Sequence, residues 1–151
     1  MVAHSNVSGH QFKGVLEGLH GQLNVGSPEG GGFSRHMVTG ETPSEGYMVS
    51  LPGSEKHIEP ASAARPHHLA NYVRTNREAL SQPENSFGGW NPGTHVDLDT
   101  SRNIKPDPGI AAEHGHGVAR VDALEKTLSV GIAHRQKAVY DVKNDRAIRV
   151  R

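Results

Sequence analysis

The stretch GTHVDLDTSRN in the middle of the chain places ionisable side chains at every second position. In an extended strand successive side chains point to opposite faces, so His95, Asp97 and Asp99 share one face and Val96 and Leu98 share the other. Imidazole and carboxylate groups in such a row can transfer protons or coordinate a divalent cation. The same alternation is also what the solvated side of an antiparallel sheet normally displays. The sequence therefore raises a functional question that its local pattern does not settle.

A metal site at this row would need ligands from elsewhere in the chain. Residues two apart on a strand lie ~6.5–7 Å apart, so His95, Asp97 and Asp99 alone do not converge on one ion. The pair His114 and His116 is the candidate second contributor. Because histidines flanked by glycine are common in ordinary loops, we interpret the row as a solvated face and predict no metal or other cofactor, with a metal site as the alternative.

A catalytic interpretation of the sequence assigns roles to histidine and arginine residues. Metal-independent cleavage of a phosphodiester needs a general base, for which His36 or His95 would serve, and a cation to stabilise the phosphate, for which Arg102 or Arg135 would serve. A basic surface is expected of a protein that binds a nucleic-acid backbone, but 16 basic residues balance 16 acidic ones here. The sequence thus favours a protein without catalytic activity that does not bind nucleic acid.

Composition excludes several other classes of protein. The chain has no cysteine, which excludes disulfides and thiolate metal sites. No apolar run approaches the ~20 residues that span a bilayer, and the N-terminus lacks the pattern of a signal peptide. We therefore expect a soluble, intracellular protein.

The glycine and proline content predicts a division near residue 32. Residues 1–31 are glycine-rich and broken by Ser27 and Pro28, which is typical of an arm and linker. Residues 32–151 contain the strand and helix patterns of a folded domain. We predict that this domain folds cooperatively without residues 1–31.

The second part of the chain predicts an α+β domain in the order ββ-α-ββ-α-ββ. Three hairpins and two helices are predicted: strands 33–38 and 47–51, a helix over 66–80, strands 87–90 and 95–99, a helix from residue 122, and strands 138–142 and 147–150. Such an order predicts a mostly antiparallel sheet with both helices on one face. We expect Trp90 to anchor the packing, and Leu124, Leu128 and Ile132 to form the buried stripe of the second helix.

The N-terminal arm carries one amphipathic segment, residues 12–23. Its apolar residues fall at i, i+3, i+4, i+7 and i+11, and they are Phe12, Val15, Leu16, Leu19 and Leu23. Three glycines inside the segment each cost about 0.8–1 kcal/mol relative to alanine in a helix. The helix therefore needs a surface to dock on, and that surface is either a groove on a partner protein or the chain's own domain.

Five spaced motifs carry a resemblance to a group of proteins. The motifs are GYMVS, YVRTN, FGGW, VDLDTSRN and QKAVYD, spread over residues 46–141. In this pattern the chain resembles small, mostly uncharacterised proteins encoded by actinobacterial phages and mobile elements, over about residues 32–151. In these proteins a Tyr-Leu-Asp type of sequence is expected where this chain has His95, which argues against a family-wide catalytic role for that histidine.

Together these features predict a phage or mobile-element protein that acts by binding. The resemblance implies a location in the cytoplasm of a host cell or in a virion, and the amphipathic segment implies a protein partner. A small metal-independent nuclease toxin domain is the alternative function.

Overall fold

The computed structural model describes residues 9–150, with side chains from residue 12 onward. Within that range the helices are α1 (Gly9–Gln22), α2 (Pro66–Thr75), α3 (Arg77–Leu80), α4 (Pro108–His114) and α5 (His116–Ala133). The strands are β1 (Gly31–Arg35), β2 (Tyr47–Ser50), β3 (Lys56–Ile58), β4 (Asn85–Asn91), β5 (Val96–Ile104), β6 (Ala138–Asp141) and β7 (Arg146–Arg149). The α+β class is confirmed, although the order of elements differs from the predicted one.

The chain forms two compact units. Unit 1 comprises the chain up to Thr42 together with Ser54–Thr100, and unit 2 comprises Pro43–Gly53 and Ser101–Arg151. Helix α1 and strand β1, which flank the predicted linker, both belong to unit 1. The first eight residues of the predicted arm lie outside the described residues.

The strands are hydrogen-bonded in a seven-stranded sheet of order β1-β4-β5-β2-β6-β7, with β3 paired to β5 off this path. The pairs β1–β4, β2–β5, β2–β6, β3–β5 and β6–β7 are all antiparallel. Strand β5 is nine residues long. Its first half, through Thr100, lies in unit 1, and its second half, from Ser101, lies in unit 2. Each of these five antiparallel pairs joins residues of a single unit.

The first predicted hairpin is wrong. Strand β1 pairs with β4, with Phe33 opposite Gly89, and β2 pairs with β5 and β6. The turn-rich segment between β1 and β2 is too long to fix a register, so burial of the strand residues decides their partners. The second and third hairpins are confirmed, because β5 lies next to β4 and Ala138 pairs with Arg149.

The core of unit 1 is built around α1, α2 and the inner face of β4. Leu16, Leu19 and Leu23 of the amphipathic segment are buried in one cluster with Leu69 and Phe87. The ring of Phe87 stacks on Tyr72 with centroids 5.1 Å apart. The predicted helix over 66–80 begins at Pro66 as expected but is interrupted at Asn76, which separates α2 from the short α3.

Unit 2 is organised by α5, whose packing differs from the predicted one. The helix begins at His116 and not near Asp122, and it buries Ala119, Ala123, Thr127 and Gly131. These small residues at a spacing of four bring the helix close to the strands; a Cβ on Gly131 would lie 3.1 Å from Val139 Cγ1. The larger residues that were predicted to form the buried stripe are therefore only partly buried or exposed, and Ile132 is 63% exposed.

Helix α4 was not predicted, although its start has a clear local signal. Asp107 caps it, with Oδ1 accepting hydrogen bonds from the backbone N–H groups of Gly109 at 2.7 Å and Ile110 at 3.3 Å. Pro108 then occupies the first helical position, where the missing N–H is of no consequence.

Candidate metal centre

Strand β5 has the two faces that its alternation predicts. Val96 and Leu98 are fully buried in the core of unit 1. Asp97 lies on the opposite face with its side chain 25% exposed, and His95, one residue before the strand, is 26% exposed on the same side. The polar row is thus partly accessible to solvent.

Strand β3 adds a second polar row beside the first. In the antiparallel register, His57 lies opposite Asp97 and Ile58 lies opposite Val96. Ile58 is buried, so His57 points to the polar face. Glu59 and Glu55, two residues away on either side of His57, belong to that face by the same alternation. Sequence reasoning missed His57, because a three-residue strand is too short to show a period.

Two imidazoles converge on one carboxylate. Nδ1 of His57 lies 2.7 Å from Oδ1 of Asp97, and Nε2 of His95 lies 3.1 Å from Oδ2 of Asp97. The two rings lie side by side, with centroids 4.6 Å apart and planes inclined by 37°. Ligand atoms of these three residues all lie within 4.8 Å of one another. We call this group the His57–His95–Asp97 cluster.

The outer nitrogen of each imidazole also has an oxygen partner. Nε2 of His57 lies 3.0 Å from Oε1 of Glu59, and Nδ1 of His95 lies 2.8 Å from Oγ1 of Thr94. Histidines that bind metal ions almost always donate their other ring N–H to such an acceptor, which fixes the tautomer and the ring orientation. Both histidines of the cluster therefore have the surroundings of a ligating histidine.

Two pKa values on this face are raised, those of His57 and Glu55. The hydrogen bond to Glu59, followed by that to Asp97, raises the pKa of His57 above its ordinary value. Burial raises the pKa of Glu55, and the nearby charges of Asp97 and Asp99 raise it further, against the opposing effect of the two histidines. The face is thus a concentration of negative charge in which a cation is stabilised.

Two nitrogen atoms and one carboxylate are a ligand set of the zinc class. Zn²⁺ binds histidine and aspartate in tetrahedral sites, and a site with three protein ligands keeps a position for water or substrate. Such a centre can activate a water molecule or exchange an external ligand. The cluster is chemically capable of either.

The cluster contains two of the three residues of the row singled out in the sequence, His95 and Asp97. Asp99 is not in the cluster; its carboxylate lies over Gly88 on β4, where a Cβ would be 2.2 Å from Oδ1. The predicted helpers His114 and His116 belong to unit 2, where His114 lies 3.8 Å from Glu113 on the surface. In the cluster, His57 of β3 occupies the place for which they were the candidates.

The residues of the nuclease alternative fall in different surroundings. His36 serves a turn, with its Nδ1 accepting hydrogen bonds from the backbone N–H groups of Val38 and Thr39. His36 and His95 lie in unit 1, whereas Arg102 and Arg135 lie in unit 2. Of these residues, only His95 is part of the cluster.

The residues expected to contact a partner mostly face the core of unit 1. Leu16, Leu19 and Leu23 are at most 2% exposed, and Phe12 packs against the same core. Val15 is 41% exposed. Of the two surfaces that the sequence left open for this stripe, the chain's own unit is the one it contacts.

Trp90 is not the packing anchor that the sequence predicts. It is 57% exposed and rests on Gly32 of β1, where a Cβ would lie 2.9 Å from Cε3 of the indole. Gly88, two residues earlier on β4, faces Asp99, so Trp90 lies on the same face of the sheet as the polar row. A large aromatic side chain therefore stands on the face that carries the cluster.

Comparisons with known proteins add no family to this description. The chain matches no protein-family model, no curated protein and no solved structure at a significant level. Among residues 9–150, each helix is too short or too polar to cross a membrane.

Proposed function

We propose that this protein binds one divalent transition-metal ion of the zinc class through His57, His95 and Asp97. The observation that carries the proposal is the arrangement of the two imidazoles. Each directs one ring nitrogen at the same carboxylate and has its other ring nitrogen held by a separate oxygen acceptor.

The outer hydrogen bonds allow each neutral ring to present its inner nitrogen to a cation at the centre. When Nε2 of His57 donates to Glu59 and Nδ1 of His95 donates to Thr94, each neutral ring has its lone pair on the inner nitrogen. Those lone pairs then face the oxygens of Asp97, which are also electron-rich. A positive charge relieves this repulsion. A proton on His57, whose pKa is raised by Glu59 and Asp97, is one such charge, and a metal ion is another that serves all three groups at once.

The donor set favours Zn²⁺, Co²⁺, Ni²⁺ or Cu²⁺ over Ca²⁺ or Mg²⁺. Imidazole nitrogen suits the first group, whereas Ca²⁺ takes six to eight oxygen ligands and Mg²⁺ requires near-octahedral oxygen coordination. A cluster with two nitrogens and one carboxylate meets only the first requirement.

Metal binding corresponds to the alternative that the sequence left open for the polar row, which was itself interpreted as a solvated face. The protein partner, the phage or mobile-element association and the location in a host cell or virion stay predictions. The nuclease alternative is less favoured, because four acidic residues on the face of the cluster would repel a phosphodiester.

The direct test is metal titration of the full chain after removal of bound ions by a chelator. We expect calorimetry with Zn²⁺ to show one site per chain. Asp97→Asn should weaken binding by more than about 100-fold, and Glu59→Ala by about 10–100-fold, as is typical when an outer hydrogen-bond partner is removed. The matched control is His114→Gln, an exposed histidine that also has a carboxylate neighbour. Equal affinity of the Asp97 variant and the wild type would reject the proposal.

A further inference from the structure

We infer that the His57–His95–Asp97 cluster forms an open metal centre, with one exchangeable position that takes a small neutral or singly charged donor and disfavours phosphate. The inference rests on the proposed function and adds to it the class of external ligand.

The number of ligands that the protein supplies determines whether the metal centre is open. In the part of the chain that the structure describes, the cluster contains three residues. Glu59 is the nearest candidate for a fourth, but its Oε1 contacts Nε2 of His57, and this nitrogen is on the side of the ring away from Asp97. One imidazole cannot present both nitrogens to a single ion. Glu59 therefore holds His57 from behind and does not close the site.

The cluster is accessible from solvent. The side chain of His57 is 48% exposed, and those of His95 and Asp97 are about a quarter exposed. Strand β3 has β5 as its only partner among the described strands. The cluster thus lies near an edge of the sheet, where water or a small donor can reach the fourth position of a tetrahedral ion.

The charges around the fourth position of the ion determine which external ligands it favours. A divalent ion bound to Asp97 has a net charge of +1, and Glu55 and Glu59 lie on the same face of β3. Both carboxylates repel an incoming anion, and the repulsion grows with the charge of that anion. Water, imidazole and azide are therefore favoured over phosphate at the fourth position.

The test uses the Co²⁺-loaded full chain, whose visible absorption reports the ligands of the ion. We expect absorption bands of a four-coordinate centre, which shift in a saturable way when imidazole or azide is added. Phosphate should produce the same kind of shift only at concentrations at least tenfold higher. Glu55→Gln, which changes no ligand, should strengthen phosphate binding by on the order of threefold, because it removes one repelling charge.

Three other outcomes would contradict the inference. Bands that do not respond to imidazole, together with an altered spectrum in Glu59→Gln, would show a closed site with Glu59 as fourth ligand. Phosphate binding as tight as imidazole binding would reject the charge argument. Absence of the Co²⁺ bands from the wild type would reject the metal site itself, and the inference with it.

Discussion

His57 and Asp97 lie directly opposite each other on neighbouring strands, with Nδ1 of the histidine 2.7 Å from Oδ1 of the aspartate, although they are 40 residues apart in the chain. The pair joins the three-residue β3 to the nine-residue β5. A metal ion bound there would cross-link the two strands, so its presence should be measurable as stability.

Asp97→Asn should abolish stabilisation by the metal while leaving the stability of the metal-free protein nearly unchanged. Without metal, we expect its free energy of unfolding to differ from that of the wild type by less than about 1 kcal/mol, because partly exposed ion pairs contribute little. With Zn²⁺ at 100 times its dissociation constant, the wild type should gain about 2.7 kcal/mol and the variant almost nothing. Thermal melts with and without Zn²⁺ measure both quantities. Equal stabilisation of the two proteins would place the ion elsewhere.

Trp90 should report metal binding, because it is the single tryptophan of the chain and shares the face of the cluster. Cu²⁺ or Ni²⁺ quenches a nearby indole, so fluorescence should fall until one equivalent has been added and then remain constant. Zn²⁺, which does not quench in this way, should compete and restore the emission. Quenching that persists unchanged in Asp97→Asn would show that the effect comes from ions bound at another site.

Deletion of residues 1–31 should unfold unit 1, contrary to the expectation from the sequence. The deletion removes Leu16, Leu19 and Leu23 from the core and exposes their neighbours Leu69 and Phe87. The milder variant Leu19→Ala should cost about 2–5 kcal/mol, and its matched control Val15→Ala, on the exposed side of the same helix, much less. Denaturant unfolding measures the difference. Equal effects of the two substitutions would mean that α1 is not packed as described.

The substitutions Gly89→Ala and Gly18→Ala should change the stability of the protein in opposite directions. A Cβ on Gly89 would lie 2.3 Å from Cε2 of Phe33 in the core, so Gly89→Ala should destabilise the protein by about 1–3 kcal/mol. A Cβ on Gly18 of α1 meets nothing within 4 Å, so Gly18→Ala should stabilise the helix by about 0.5–1 kcal/mol. Chemical denaturation of both variants tests the pair. A neutral Gly89 variant would contradict the close packing of β4 on Phe33.

Asp141 should make the protein sensitive to acid. Burial of its carboxyl alone would raise its pKa, but hydrogen bonds from Asn144 and the charges of Arg120 and Arg146 outweigh burial and lower the pKa below the ordinary 3.8. The stabilisation is therefore complete well above pH 3.8 and is lost as the pH falls below this value toward the folded-state pKa. At pH 7, Asp141→Asn should cost about 1–3 kcal/mol. The gap between the two proteins should narrow in urea melts below pH 3.8, and a constant gap down to pH 2 would reject the assignment.

Local pattern was sufficient for the parts of the fold that depend on near neighbours. The alternation around Val96 and Leu98 predicted which side of β5 is buried, because side-chain direction in a strand follows from backbone geometry alone. Pro66 marked the start of α2, and the turn-forming residues between β6 and β7 predicted their hairpin. The spacing of Leu16, Leu19 and Leu23 likewise predicted a helix with one apolar face.

The features of the candidate metal centre depend on pairing between distant segments. His57 meets Asp97 only because β3 pairs with β5, and Trp90 rests on Gly32 only because β1 pairs with β4 in place of β2. A period in the sequence determines which face of an element is apolar, but not which other element covers that face. This choice follows from the total burial of the folded chain, and for that reason the tertiary structure alone brought the second histidine to the carboxylate.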